Sequence, residues 1–315
     1  MFKTPILLLI FNRPDTTEKV FNEIRRLQPA ALYIAADGPR EGKTEDIERC
    51  KKCREIVMNN LDWDCEVNTL FNDTNLGCGA APASAISWFF EHVERGIILE
   101  DDILPDPSFF NFCQEMLIRY ENTPDVMHIS GCYFLQDFLP ADQEQSYYFT
   151  RHIHVWGWAT WRRAWQYYDY DMAEWDRFNS DEALSDYYGP YYIFWKTLFA
   201  NMLHKGNDIW DYQWMFAIYK KNGVAINPAA NLVQNLGFGE NATHTTDSES
   251  IYTRVRLQTI SELAHTPMKS IDLKKDSLYY QHYLHFDLQA EHNKQKALWK
   301  FINRLRKLKA RFQKG

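Results

Sequence analysis

Apolar residues in the first third of the chain form short continuous runs that alternate with segments of helical spacing. The run at residues 5–11 is apolar throughout, as in a strand covered on both faces, and runs at 31–36, 65–71 and 96–99 predict further strands. The segments between them predict helices after Pro14, over 44–59 and over 80–94. This repeated strand–helix order predicts an α/β fold with a doubly wound, mostly parallel sheet.

Polar residues or glycine follow each of these four predicted strands. Ligands of doubly wound sheets bind beyond the carboxyl ends of the strands, so these residues should lie on one rim. They are Asn12 and Arg13, Asp37, Asn75 and Gly77, and the acidic triplet Glu100, Asp101 and Asp102. Neither G-x-G-x-x-G nor G-x-x-x-x-G-K-[ST] is present, so a phosphate at this rim would be held by a metal and by Arg13.

The acidic triplet is the feature that most needs an explanation. Three carboxylates at the end of a buried strand repel one another, and a divalent cation would relieve that repulsion. Mg²⁺ and Mn²⁺ take hard oxygen ligands, often one or two carboxylates together with substrate phosphates. The alternative is an acidic turn that caps the helix predicted from Pro107.

Composition narrows the partner class and the compartment. A formal charge of -7 and a pI near 5.8 argue against nucleic acid as the main partner. Six cysteines are too few for a disulfide scaffold, and the C-x-x-C pair Cys50 and Cys53 has no second pair at zinc spacing. Reduced thiols and a cytoplasmic location are therefore expected. The run at 5–11 is too short to span a bilayer and is interpreted as a strand rather than a signal peptide.

Four short motifs together resemble the nucleotide-sugar domain of type A glycosyltransferases. They are Asn12-Arg13, Asp37-Gly38, Asn75-Leu76-Gly77, and Glu100-Asp101-Asp102 followed by Pro107-Ser-Phe-Phe110. The triplet is similar to the Glu-Asp-Asp variant of the Asp-x-Asp motif in the N-acetylglucosaminyltransferase I-like family, and to related bacterial glycosyltransferases. The resemblance covers residues 1–115 and is thin beyond them.

The resemblance implies a role for each residue of the rim. Asp102 would bind Mn²⁺ or Mg²⁺, and Glu100 and Asp101 would face the ribose and the donor sugar. Asp37 would contact the uracil and Arg13 the diphosphate. Asn75 and Gly77 would line the same donor site.

After residue 126 the composition shifts toward Trp and Tyr. We therefore divide the chain into a nucleotide-sugar-binding half at 1–125, an acceptor-binding and catalytic half at 126–250, and a helical extension at 251–315. The segment 151–165 holds four tryptophans around Gly157. Trp158 could stack on the donor sugar while Gly157 lets the backbone approach it closely. The alternative is that these rings are packing material.

A helical pattern from 208 onward places Asp211 in a first turn, where the helix dipole favours an acid. Capping is therefore one interpretation. Inverting transferases of the resembled fold place the catalytic acid near such a helix start, which implies Asp211 as the general base. Glu240 and Asp176 are the reserve candidates.

Two segments further along suggest additional contacts. The Gly- and Asn-rich segment 227–245 predicts a functional loop, and the resemblance implies that its His244 reaches the metal or the diphosphate. From residue 294 a basic stripe flanks apolar positions, which suits either a solvated terminal helix or attachment to an anionic membrane surface.

These observations lead to an expected function. The chain would be a metal-dependent, inverting glycosyltransferase that moves a sugar from a UDP-linked donor to a hydroxyl of a glycan or lipid-linked glycan, as in polysaccharide biosynthesis. The alternatives are a nucleotidyltransferase that makes a nucleotide sugar and a non-catalytic glycan-binding or membrane-associated scaffold.

Overall fold

The computed structural model describes residues 1–139, 144–205, 208–237, 255–265 and 270–284. The strands in this part of the chain are β1 Ile6–Ile10, β2 Ala31–Ala36, β3 Glu66–Phe71, β4 Arg95–Glu100, β5 Ile103–Pro105, β6 Val126–Ser130, β7 Tyr147–Thr150, β8 Trp158–Trp161, β9 Val224–Pro228 and β10 Val233–Asn235. The helices are α1 Pro14–Leu27, α2 Thr44–Asn59, α3 Gly77–His92, α4 Pro107–Arg119, α5 Arg162–Trp165, α6 Trp175–Phe178, α7 Asp181–Tyr188, α8 Tyr192–Lys205, α9 Asp211–Lys220 and α10 Leu273–His282, with a 3₁₀ turn at Gly189–Tyr191.

Eight strands form one sheet in the order β3-β2-β1-β4-β8-β6-β9-β7. The first four are parallel, β6 is parallel to β9, and β8 and β7 run antiparallel to their neighbours. β5 and β10 form a separate antiparallel pair. The predicted α/β class with a doubly wound, mostly parallel sheet is confirmed. The sheet is continuous across the boundary predicted at residue 126, because β6, β7 and β9 join it through β8.

The strand order reverses between β1 and β4. The chain winds outward from β1 through β2 to β3 and returns on the other side of β1 as β4, with Leu9 opposite Glu100. In open α/β sheets the crevice at such a reversal is the usual ligand site. Arg13, just after β1, and Asp101, just after β4, flank this crevice.

Helices cover both faces of the central strands. Ile6, Leu8 and Ile10 pack with residues of α1, α2 and α4, whereas Leu7 and Leu9 pack with residues of α3, α5 and α9. This alternation explains the uninterrupted apolar sequence of β1, because both sets of side chains are removed from water. Burial of that kind stabilises the fold by roughly 0.8 kcal/mol for each CH₂ group.

A third apolar cluster accounts for much of the aromatic content after residue 126. It joins α6 to α10 through large rings, among them Trp175, Tyr188, Trp195, Phe199, Phe216 and Tyr280. These aromatic residues therefore pack α6 to α10 against one another.

The described part of the chain bears on the predictions about membrane spans and thiols. Among its helices, none combines the length and the apolar character needed to cross a bilayer. All six cysteines are free thiols, and Cys50 and Cys53 are buried in α2. The basic segment predicted from residue 294, with its possible membrane surface, lies outside the described residues.

Candidate functional site at the β1–β4 reversal

The acidic triplet lies at the reversal of the strand order. Asp101 and Asp102 are buried, and Glu100 is half-buried at the end of β4. The backbone amide of Phe11 donates a 2.9 Å hydrogen bond to Asp101 Oδ2, which ties the triplet to the end of β1. The sequence-predicted proximity of these two strand ends is therefore observed.

Arg13 supplies the cation that faces the triplet. Its Nη1 forms an ion pair with Asp102 Oδ2 and lies 3.9 Å from Asp101 Oδ1. Its side chain is 24% exposed, while those of Asp101 and Asp102 are 8% and 10% exposed. One guanidinium thus faces three carboxylates in a largely desolvated position.

The pKa values of all three carboxyl groups are raised. Burial raises the pKa of Glu100 to about 8, and the nearby charges of Asp102 and Asp101 add to the rise. Burial also raises the pKa of Asp101, with Asp102 contributing, and the pKa of Asp102 is raised by burial and opposed by Arg13. Full ionisation of the three carboxyl groups is therefore unfavourable without a further positive charge, as expected of a site that accepts a cation.

Capping of α4 does not explain the triplet. The N-cap of α4 is Asp106, whose Oδ1 accepts a 2.9 Å hydrogen bond from the amide of Ser108. Thr259 Oγ1 donates to the other oxygen of Asp106 at 2.8 Å. The helix start near Pro107 thus has its own acid, and Glu100 to Asp102 are left for another role.

Gly237 lies directly against Asp102. The amide of Leu236 donates a 2.7 Å hydrogen bond to the backbone oxygen of Asp102. A Cβ atom at Gly237 would stand 2.2 Å from Asp102 Oδ2, so a larger residue there would displace the carboxylate or the loop. Loop 236–237 therefore closes one side of the carboxylate.

Asp37, Asn75 and Gly77 are brought together, as predicted. Asp37 accepts hydrogen bonds from Asn75 Nδ2 at 2.7 Å and from the amides of Leu76 and Gly77 at 3.0 and 3.2 Å. Gly77 has a φ of 88°, which glycine adopts without strain. Asp37 thus fixes the loop that leads into α3, and contact with a uracil stays a prediction for it.

Asp211 lies at the start of α9, as predicted, and it is half-buried. It is close enough to Glu100 for its charge to raise the pKa of that carboxyl, as a minor contribution after burial. The structure therefore places the predicted base on the same rim as the triplet.

Asp208 belongs to this region and was not predicted from the sequence. Its Oδ1 accepts a 2.7 Å hydrogen bond from the amide of Gly79, in the first turn of α3. The Cys78 thiol donates to its Oδ2 at 3.2 Å. Its position three residues before Asp211 is a weak sequence signal for a role at this site.

Two arginines that support the rim were also not predicted. Arg40 forms a two-point ion pair with the fully buried Asp46, which also accepts a 2.7 Å hydrogen bond from Asn12 Nδ2. Arg54 donates from Nη2 to the backbone oxygens of Asp37 and Asn72. Arg40 follows the turn after β2, and that position was the available signal.

The expectation that Trp158 contacts the donor is corrected. Trp158 is in β8 with 0% exposure, and its ring lies 5.0 Å from His128 and 5.6 Å from Trp210 in stacked geometry. Gly157 does allow a close approach, but the approaching groups are Gly131, whose amide donates to Gly157 at 2.7 Å, and Val233. The tryptophan-rich segment packs the core at this point instead of presenting a ring to a sugar.

The remaining candidates are placed as follows. Asp176 is exposed in α6, beside the third apolar cluster. His244 and Glu240 lie outside the described residues. Within the described residues, no group of three or more His, Cys, Asp or Glu side chains is arranged to hold a metal by itself.

The donor atoms at the triplet nevertheless fit a hard divalent cation. They are carboxylate oxygens, and the Arg13 guanidinium already stands beside them as a positive charge. Mg²⁺ and Mn²⁺ often take only one or two protein carboxylates and complete their shell with phosphate oxygens and water. A site of this type needs no preformed group of three side chains.

No family model matches the sequence, and no curated protein matches it significantly. Several solved structures are similar to the chain, including the following three. Residues 1–349 of S. aureus TarS match over 53% of this chain and 48% of theirs, with 8% identity and a TM-score of 0.34. Mouse xyloside xylosyltransferase 1 matches over 85% and 99%, with 10% identity and a TM-score of 0.34. The inositol-1-phosphate CTP transferase of T. maritima matches over 82% and 99%, with 9% identity and a TM-score of 0.38.

This chain therefore spans about half the length of the TarS fragment. At these identities and TM-scores, the similarities carry no argument about function. The α/β assignment follows from the strand order and the register of the sheet.

Proposed function

We propose that this chain is a metal-dependent glycosyltransferase that moves a sugar from a UDP-linked donor to a hydroxyl of a glycan or lipid-linked glycan, with inversion. The observation that carries the proposal is the desolvated acidic triplet, faced by Arg13, at the reversal of the strand order and near Asp211. Such a rim offers carboxylate oxygens for a cation, a guanidinium for a diphosphate and an acid for proton transfer.

Arg13, Asp37 and the loop between β3 and α3 bind the donor in this proposal. The guanidinium of Arg13 suits a diphosphate, because its planar fork pairs with phosphate oxygens at two points. Asp37 and the residues hydrogen-bonded to it, Asn75 and Gly77, would hold the nucleoside. Asp101, fixed by the amide of Phe11, would orient the ribose or the sugar together with Glu100.

Asp102 would hold the cation, Mn²⁺ or Mg²⁺. When bound, the cation would neutralise charge on the departing diphosphate, a contribution of several kcal/mol. His244 is a proposed further ligand that lies outside the described residues.

Asp211 acts as the general base in this proposal. It takes the proton of the acceptor hydroxyl while that oxygen forms a bond to the anomeric carbon. The bond between the anomeric carbon and the diphosphate oxygen breaks at the same carbon, and the electron pair leaves with the diphosphate. A positioned base of this kind accelerates a reaction by roughly 10² to 10⁴-fold.

A donor-hydrolysis screen over a panel of nucleotide sugars with Mn²⁺ tests the proposal, together with calorimetric titration of UDP. Asp102→Ala should lose Mn²⁺-dependent UDP binding, whereas Asp211→Asn should bind UDP normally and lose turnover. Asp181→Asn is the matched control, because Asp181 is likewise an acid in a first turn and pairs with Lys196 on the exposed side of α7.

The other outcomes are equally specific. Pyrophosphate release from a nucleoside triphosphate and a sugar phosphate would indicate a nucleotidyltransferase. Absence of metal-dependent UDP binding in the wild type would favour a non-catalytic scaffold.

A further inference from the structure

Arg13 lies beside the carboxylates that would hold the metal. Its Nη1 lies 3.9 Å from Asp101 Oδ1 and forms an ion pair with Oδ2 of Asp102, the residue proposed to hold the cation. Both carboxylates are nearly fully buried, so each depends on this guanidinium for compensation. A divalent cation cannot bind Asp102 through that oxygen while the ion pair is intact.

The backbone of Arg13 is held in place by contacts with α1. Its carbonyl oxygen accepts a 2.9 Å hydrogen bond from the amide of Thr17 and a 2.7 Å hydrogen bond from Thr17 Oγ1. Pro14 follows at the first position of α1 and restricts the backbone further. If Arg13 exchanges its ion-pair partner, its side chain must therefore rotate while its backbone at the end of β1 stays in place.

We propose that Arg13 couples the binding of metal and nucleotide: it pairs with Asp101 and Asp102 in the free protein and leaves Asp102 when a divalent cation arrives together with a diphosphate. The inference rests on the proposed function and adds to it a coupling between the two ligands. A cation alone must displace Arg13 without offering it a new partner. A diphosphate supplies that partner, because phosphate oxygens accept two parallel hydrogen bonds from the guanidinium.

The consequence is positive cooperativity between the two ligands. The diphosphate raises the affinity for the cation, and by linkage the cation raises the affinity for the diphosphate by the same factor. Removal of Arg13 should therefore change the two affinities for the cation in opposite directions. Without nucleotide the cation should bind more tightly, since its competitor is gone, and with nucleotide the benefit of the released guanidinium should be lost.

The experiment measures Mn²⁺ affinity by electron paramagnetic resonance, with and without UDP, on the wild type, Arg13→Gln and Arg25→Gln. In the wild type, UDP should tighten Mn²⁺ binding by about tenfold or more. Arg13→Gln should bind Mn²⁺ alone roughly threefold or more tightly than the wild type, and its coupling to UDP should fall about fivefold. Arg25→Gln removes the same charge from an exposed ion pair with Asp62 and should match the wild type.

The possible outcomes distinguish failure of the coupling by Arg13 from failure of the proposed function. UDP-dependent Mn²⁺ binding in the wild type, with unchanged or weaker Mn²⁺ binding in Arg13→Gln, overturns the inference and leaves the proposed function intact. Absence of any Mn²⁺-dependent UDP binding in the wild type overturns both.

A second measurement covers the case in which Arg13→Gln does not fold. In a crystal structure of the wild type with Mn²⁺ and UDP, Arg13 should contact a phosphate oxygen and no longer contact Asp102. Retention of the Arg13–Asp102 ion pair beside a bound nucleotide would refute the exchange.

Discussion

The carboxylate of Asp208 accepts a hydrogen bond from the backbone amide of Gly79 at 2.7 Å, across a separation of 129 residues. This contact joins the first turn of α3, which follows the loop between β3 and α3, to the segment that leads into Asp211 at the start of α9. An acid at a helix N-terminus is stabilised by the unpaired amides and by the helix dipole.

The thiol of Cys78 reports on this contact. Burial raises the pKa of Cys78 to about 11, and the hydrogen bond and negative charge of Asp208 add to the rise. Asp208→Ala should therefore lower the pKa of Cys78 and increase the thiolate fraction at pH about 9, where alkylation follows the thiolate. Peptide mapping after timed iodoacetamide treatment should show faster labelling of Cys78. Cys65, a partly buried thiol elsewhere, is the internal control, and equal rates at Cys78 would mean that the contact is absent in solution.

Glu100→Gln should stabilise the free protein, because it removes one of three carboxylates that repel one another. Burial, Asp102 and Asp101 raise the pKa of Glu100 to about 8. The folded state thus holds this proton more tightly than the unfolded state, so stability falls as pH rises from the unfolded value of about 4.3 to about 8. The gain from Glu100→Gln should be largest near pH about 8 and vanish near pH about 4.

Thermal denaturation in EDTA measures this effect. The midpoint of Glu100→Gln should exceed that of the wild type by about 2 °C or more at the higher pH. Glu18→Gln makes the same chemical change at an exposed position in α1 and should leave the midpoint unchanged. A lower midpoint for Glu100→Gln would show that Glu100 forms stabilising contacts that outweigh the repulsion.

The ion pair of Asp46 with Arg40 should contribute to stability with the opposite pH dependence. Hydrogen bonds from Arg40 lower the pKa of Asp46 to about 2, so the contribution is present above the unfolded value of about 3.9 and is lost as pH falls through about 2. Asp46→Asn should cost about 2 kcal/mol at neutral pH, at the low end for a buried partner because Arg40 is half exposed.

Urea unfolding at neutral pH and at pH about 2 tests this dependence, because the wild type and Asp46→Asn should converge at the lower pH. Asp62→Asn removes an exposed ion pair with Arg25 and should show no resolvable loss at either pH. A deficit of Asp46→Asn that persisted at low pH would assign its cost to packing instead of charge.

The rim of the sheet was predictable from the sequence because it depends on local signals. Apolar runs locate the strands, and parallel strands end at the same edge, so Arg13, Asp37 and Asp101 had to lie near one another once the α/β order was recognised. The start of α3 at Gly77 was placed three residues too late, because glycine is a poor helix former and the distant acids Asp37 and Asp208 that stabilise this turn are invisible to local spacing.

The role of Trp158 could not be predicted from its local sequence. A tryptophan that stacks on a sugar and a tryptophan that fills a core have the same local pattern, and only the neighbours distinguish them. Here the neighbours His128 and Trp210 come from segments 30 and 52 positions away, and both stack on the ring. The ion pair of Arg13 with Asp102 was hidden for a related reason, since the expected partner of Arg13 was a ligand and not the chain itself.

Gly237→Ala should disable the candidate metal site without disturbing the sheet. The added Cβ would stand 2.2 Å from Asp102 Oδ2, so either the carboxylate or the loop that follows β10 must move. Mn²⁺-dependent UDP binding, measured by calorimetry, should weaken by about tenfold or more, because a misplaced ligand costs a large part of the binding energy. Gly42→Ala adds a Cβ in open space at a φ of 74°, so it should lower stability slightly and leave UDP binding unchanged. Unchanged binding in Gly237→Ala would mean that Asp102 does not hold the cation through Oδ2. Asp101 would then be the metal ligand to test.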